Sequence, residues 1–188
     1  MCKNPDLASA LREELSTNGY TEPSQIEPYN IANLTYLNAL INETLRLHPP
    51  VPGPVFRDTP PEGLRCGEHF IPSDVTILTP TFAIQTSDKA FKDPMSFVPE
   101  RWTSRPDLVR NKNAFFPFLI GTYGCVGKQV ALMELRTVLS KLVLAFDIEF
   151  AKGEDGRRLC EESLDCFTTT LARMDVELKT RKGAEIVA

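Results

Sequence analysis

Apolar residues in this chain recur at helical spacing near the N-terminus, break into short runs in the middle, and return to helical spacing after residue 127. Leu7, Leu11 and Leu15 fall four apart, so a helix is predicted over residues 4–17, with Asn4 as N-cap, Pro5 at the first helical position and Gly19 as the stop. A polar linker over 20–29 precedes a second predicted helix over 31–47. His48, Pro49 and Pro50 end it, because proline lacks the amide proton and turns the residue before it away from helix. Short strands are predicted at 54–57, 63–66, 69–71 and 74–79, and most of the chain's 15 prolines fall between residues 49 and 106. Residues 94–117 show little periodicity, and a coil of that length inside a domain is usually functional. The longest helix is predicted over 127–146, with Ala131, Leu135, Val138, Leu139, Leu142 and Phe146 on one stripe. Strands are predicted to follow near 147–150, 165–169 and 174–179.

One position breaks the pattern of the second helix. Glu43 shares a stripe with Tyr36, Leu40 and Leu47, which puts a carboxylate on the face that should be buried. Arg46, three residues on, can reach it. Exposed, such a pair contributes little. Buried, it must be satisfied by further hydrogen bonds, because desolvating both charges costs several kcal/mol. A second guanidinium would serve, and Arg101 offers one within the proline-stiffened segment 97–102, FVPERW.

The segment 118–127, FLIGTYGCVG, sets Cys125 between two glycines at the start of the longest helix. A sulfur there meets backbone N–H groups with no partner inside the helix and the positive end of its dipole, and both attract negative charge. Gly121, Gly124 and Gly127 let the backbone turn sharply and pass close to a flat ligand. Read alone, the loop fits either a buried cysteine in a glycine turn or a fifth ligand to haem iron. With His48 and His69 as the only histidines and no CxxC pair, a zinc site is not expected. A thiol enzyme using Cys125 as nucleophile lacks a pattern that marks its histidine partner. The odd count of 5 cysteines, without a secretory signal, points to reduced thiols. A net charge of −4 and a pI near 5.3 argue against nucleic acid as a partner.

Taken in order, Glu43-Thr44-Leu45-Arg46, the PERW of 99–102 and the loop 118–127 resemble the ExxR, meander and haem-loop motifs of the cytochrome P-450 superfamily, the haem-thiolate monooxygenases. The resemblance implies a mainly α fold with small β-sheets. It implies that residues 1–188 form a single partial domain, the C-terminal haem-ligating half, with helices J, K and L, the meander, the haem-binding loop and a C-terminal β-hairpin. It makes Cys125 the axial thiolate of the haem iron and Glu43, Arg46 and Arg101 a buried triad. Phe118 would pack near the cysteine and tune the iron–sulfur bond, while Gly121 and Gly127 would permit the loop's approach to the porphyrin. Arg57 sits where the family often has a haem-propionate ligand. Tyr123 departs from the family's usual arginine, and a phenol can donate one hydrogen bond but brings no charge.

The same resemblance implies oxygen insertion into a lipophilic small molecule, with electrons from an NADPH-dependent flavoprotein reductase or a similar donor. Substrate contacts would come from residues 51–55 and 167–171. Between Arg101 and Lys128 the chain carries Arg101, Arg105, Arg110, Lys112 and Lys128 against Asp107 alone, a basic stretch suited to an acidic partner. A full-length eukaryotic relative is expected on the endoplasmic reticulum membrane, whereas this chain shows no anchor and would face the cytosol. The family's oxygen-activating helix is absent from these residues, so a truncated, inactive fragment that binds haem weakly or not at all is the alternative. Without that half, the helices over 31–47 and 127–146 are each expected to expose an apolar face.

Overall fold

The first helix, α1 (Pro5–Thr17), buries Ala8, Leu11 and Leu15. A computed structural model describes residues 1–181; residues 182–188 lie outside it, so the expected span 1–188 runs past what is described. Asn4 occupies the N-cap position, where its side chain makes no capping bond. Gly19, with φ of +87°, takes the left-handed turn that closes α1, and Tyr20 N–H reaches back to Leu15 C=O at 2.9 Å.

Helix α2 (Thr35–Leu47) begins four residues later than the apolar pattern predicts. Ile31 and Leu34 are buried and so mimic a helical stripe, but they lie in the preceding turn, with Leu34 N–H on Ile31 C=O. The start of α2 is fixed from α1 instead. Glu14 accepts the N–H groups of Tyr36 at 2.7 Å and Leu37 at 2.9 Å, one on each carboxylate oxygen. Those amides are among the four that a helix start leaves without partners. Glu14→Ala is therefore expected to cost about 1–2 kcal/mol of stability in urea unfolding, with Glu14→Gln costing less because its amide oxygen still accepts one N–H. An unchanged unfolding midpoint in Glu14→Ala would dismiss the capping role.

After α2 the chain builds antiparallel pairs. Strand β1 (Pro54–Asp58) pairs with β4 (Thr76–Pro80), placing Arg57 opposite Ile77, and the hairpin β2 (Leu64–Cys66)–β3 (His69–Ile71) lies between them in sequence. A short helix, α3 (Thr81–Gln85), follows; one turn and a half is too brief to show a period. The aperiodic region 94–117 is a string of 3-10 turns, including Pro99–Trp102, Pro106–Leu108 and Lys112–Ala114.

Helix α4 (Lys128–Ala145) is rotated from the predicted stripe. Leu132, Leu139, Val143 and Leu144 pack on the α1–α2 core, while Leu135 and Val138 are exposed. The helix is apolar on most sides, so periodicity could not select the face. Arg136 and Arg12 do: Arg136 donates to Asn38 Oδ1 at 2.9 Å, and Arg12 donates to Val143 C=O at 2.7 Å and Phe146 C=O at 2.9 Å. Of the two apolar faces expected to be uncovered, only that of α4 is. Helix α2 buries Leu37, Ala39, Leu40, Ile41, Glu43, Leu45, Arg46 and Leu47, which leaves it no free apolar side.

Strand β5 (Phe146–Phe150) pairs with β8 (Val176–Thr180), and a short helix, α5 (Arg157–Glu161), lies between them in sequence. The single strand predicted at 165–169 is instead a hairpin, β6 (Leu164–Cys166) and β7 (Thr168–Thr170), turning on Phe167 at φ +75°. Alternation alone could not reveal a reversal at one residue of a type that rarely adopts positive φ.

Candidate functional site

Glu43, on the α2 face toward the turn at Pro99–Trp102, sits in a closed shell of donors and has no exposed surface. One carboxylate oxygen accepts Arg46 Nη2 at 2.8 Å, Arg101 Nε at 2.9 Å and Val98 N–H at 2.9 Å. The other accepts Arg46 Nε at 3.0 Å and Trp102 Nε1 at 2.9 Å. The guanidinium groups spend their remaining donors on main-chain carbonyls: Arg46 on Gln85, Pro94 and Ser96, Arg101 on Lys92, Asp93, Ser96 and Leu108. Phe91 lies under both, its ring centre 5.1 Å from the Arg46 guanidinium and 6.0 Å from that of Arg101. Burial alone would push the Glu43 carboxyl up. The hydrogen bonds from Arg46, Val98 N–H and Arg101 outweigh it and hold the group below the usual carboxylate range. Arg46 and Arg101 thus pin the irregular segment 85–108 to α2, which explains how a coil of that length stays ordered.

The loop 118–127 leaves this region and enters α4. Phe118 packs against the main core, and its C=O accepts Cys125 N–H at 2.8 Å. Gly121, at φ +70°, needs the left-handed conformation. A Cβ on Gly124 would stand 3.1 Å from Gly121 C=O, so glycine is also favoured there. Gly127 has an ordinary backbone; a Cβ there would meet only Cys125 Sγ, at 3.8 Å, and its absence keeps space open beside the sulfur. Cys125 is exposed, and no side chain caps the first turn of α4.

Strand β1 brings Arg57 to the loop. Its guanidinium carbon lies 4.6 Å from the centre of the Tyr123 ring, two residues before Cys125, while its Nη1 donates to Phe56 C=O at 2.6 Å. Each segment expected to contact substrate meets a residue flanking the other. Thr169 N–H donates to Pro50 C=O at 2.8 Å, and a Cβ on Gly53 would stand 3.0 Å from Asp165 Oδ2. Phe167 and Leu171 are exposed on that hairpin. Of the basic stretch, Arg105, Arg110, Lys112 and Lys128 are exposed, and Arg101 belongs to the interior.

Two participants escaped the sequence reading. Trp102 enters the Glu43 shell through its indole N–H; its place in PERW beside Arg101 was the available signal. Gln85 is fully buried and bridges the end of α2 to Phe116, and nothing in the run TFAIQTSD marked it.

The residues around Cys125 suit an iron porphyrin. An exposed soft sulfur, glycines that keep its surroundings open, a cation stacked on a phenol and the exposed apolar side chains of Ile120 and Val126 match the metal, the acidic edge and the apolar face of such a ring. A buried Glu–Arg–Arg cluster thus leads into a glycine–cysteine loop just ahead of a helix, the order in which the sequence motifs resembling the cytochrome P-450 superfamily occur. The chain belongs to the cytochrome P450 family, whose model matches residues 1–173. It is 43% identical over 183 residues to "Cytochrome P450 monooxygenase notG'" of Aspergillus versicolor, covering 97% of this chain and 34% of that protein. It is 40% identical over 181 residues to "Tryprostatin B 6-hydroxylase" of Aspergillus fumigatus, covering 96% and 32%. With "Cytochrome P450 monooxygenase lcsK" of Purpureocillium lilacinum it shares 42% over 164 residues, covering 87% and 30%. The chain therefore spans about a third of the length of the curated relatives it matches.

Proposed function

We propose that these residues form the haem-ligating part of a monooxygenase, with Cys125 as the axial ligand. The observation that carries this reading is the placement of Cys125: an exposed cysteine in the loop just ahead of Gly127, the N-cap position of α4, with its N–H held by Phe118 C=O. Haem with a thiolate ligand supplies the oxygen chemistry of the family when bound. The chain's own residues bind and orient. Gly121 and Gly127 shape the loop, Phe118 anchors it to the core, and Glu43, Arg46 and Arg101 hold the preceding segment rigid. Arg57 and Tyr123 act together on a propionate: the guanidinium supplies charge, the phenol a single hydrogen bond, and the stacked ring fixes the direction of the guanidinium.

A lipophilic substrate would meet residues 51–55 and the hairpin turn at Phe167. An acidic flavoprotein reductase fits the exposed cations Arg105, Arg110, Lys112 and Lys128. Placement at the endoplasmic reticulum membrane belongs to the longer protein in this reading; among the described residues no helix is long and apolar enough to cross a membrane. A second reading, a chain that retains no haem, draws on the exposed Val130, Leu135 and Val138 of α4 and on Tyr123 standing where a cation is expected.

Haem titration of the purified chain, followed by the spectrum of the reduced carbon-monoxide complex, tests the proposal. A thiolate-type Soret band is expected, abolished in Cys125→Ala, whose melting temperature should stay near that of the parent because the side chain is exposed. No bound haem, or a thiolate band that survives the substitution, would overturn it.

A further inference from the structure

We propose that Gln85 is a positioning residue for the loop that carries Cys125, acting through Phe116 and touching no ligand itself. The proposal rests on the reading of Cys125 as a haem ligand. Gln85 is the last residue of α3 and has no exposed surface. Its carboxamide works at both ends. Nε2 donates to Leu45 C=O at 3.0 Å and Arg46 C=O at 3.2 Å, two of the carbonyls that the end of α2 leaves without helical partners. Oε1 accepts Phe116 N–H at 3.2 Å. The main-chain carbonyl of Gln85 accepts Arg46 Nη1 at 3.0 Å. One residue therefore joins the end of α2, the buried ion cluster and the strand of chain that enters the loop.

From Phe116 the restraint passes along two further bonds. Phe116 C=O accepts Leu119 N–H at 2.9 Å, and Phe118 C=O accepts Cys125 N–H at 2.8 Å. Leu119 sits at φ +57°, a conformation that leucine adopts only when its surroundings impose it. With its N–H on Gln85 and its C=O on Leu119, the Phe116 residue is fixed on both sides, and Phe118 follows two residues later. A carboxamide is suited to this place because it donates and accepts from one planar group. A carboxylate can only accept, and a thioether of similar size does neither well.

Those differences make the test. Amide hydrogen exchange at Phe116 and Cys125 is compared with exchange at Ile41, inside α2, in the whole chain and in Gln85→Met and Gln85→Glu. Gln85→Met is expected to speed exchange at Phe116 about tenfold relative to Ile41, with Cys125 following. Gln85→Glu keeps the acceptor and loses the donors, so it is expected to lower the melting temperature while leaving Phe116 protected relative to Ile41. Equal relative loosening in the two variants, or none in Gln85→Met, would overturn the proposal and leave Gln85 a cap for α2. In haem-loaded chain, Gln85→Met should shift part of the carbon-monoxide complex from the thiolate band to the band without it, and Gln85→Glu should not. An unshifted band in Gln85→Met would also count against the positioning role. If the unsubstituted chain shows no thiolate band, the haem reading falls on its own, and the exchange experiment still decides the role of Gln85.

Discussion

Glu43→Gln is expected to cost the fold about 3–5 kcal/mol, because it leaves two buried guanidinium groups with no opposing charge. Against a typical domain stability of about 5–15 kcal/mol, that loss brings the chain close to unfolding. Neither Arg46 nor Arg101 has another carboxylate as an ion-pair partner among the described residues, and neither reaches solvent. Main-chain carbonyls can accept their protons but cannot balance their charge. Urea unfolding followed by circular dichroism measures the effect. A midpoint equal to that of the parent would show that the carboxylate charge contributes nothing to stability. The same group sets an acid limit. Its folded-state value lies below the usual carboxylate range, so its contribution is full above the unfolded-state value of about 4.3 and is lost as pH falls through the folded-state value. Stability of the parent should therefore drop below about pH 4, and that drop should be shallower in Glu43→Gln.

Arg12→Met is expected to cost about 2–3 kcal/mol. Arg12 is mostly buried and donates to the carbonyls of Val143 and Phe146, at the C-terminal end of α4, and to Asp147 at 2.8 Å. Methionine keeps the aliphatic packing and removes all three charge-assisted bonds. Asp147 is half-exposed and keeps Arg181 as a partner, so little of the effect should come from the ion pair itself. High salt should accordingly leave most of the difference between parent and variant intact. A difference abolished by 1 M salt would assign the effect to the ion pair instead.

Glu43 was legible in the sequence because a carboxylate on an apolar stripe is a conflict that only a buried partner resolves. Arg101, 58 residues away, was legible through its motif and not through distance or pattern. The short strands followed from proline and glycine punctuation, and β3 matches its predicted bounds. What failed shares a cause. The start of α2 is set by Glu14 on another helix, the orientation of α4 by Arg12 and Arg136, and the role of Gln85 by carbonyls and an amide from separate segments. Each depends on a side chain finding main-chain groups far along the chain, and such groups leave no mark in residue type. The loop around Cys125 stands between these cases. Its glycines announced a tight turn, whereas the stacking of Arg57 on Tyr123 required β1 to be brought alongside.

Trp102 is the chain's one tryptophan, and its indole N–H is given to Glu43 while its ring lies 4.5 Å from that of Phe115. Excited where indole absorbs and phenol does not, the whole molecule therefore fluoresces from a single place, the edge of the ion cluster where it adjoins the segment entering the cysteine loop. Emission colour becomes a local gauge: blue while the indole stays packed and bonded to the carboxylate, red once water reaches it. No label is needed to watch the cluster open, and a porphyrin seated near Cys125 would announce itself by dimming that one emitter.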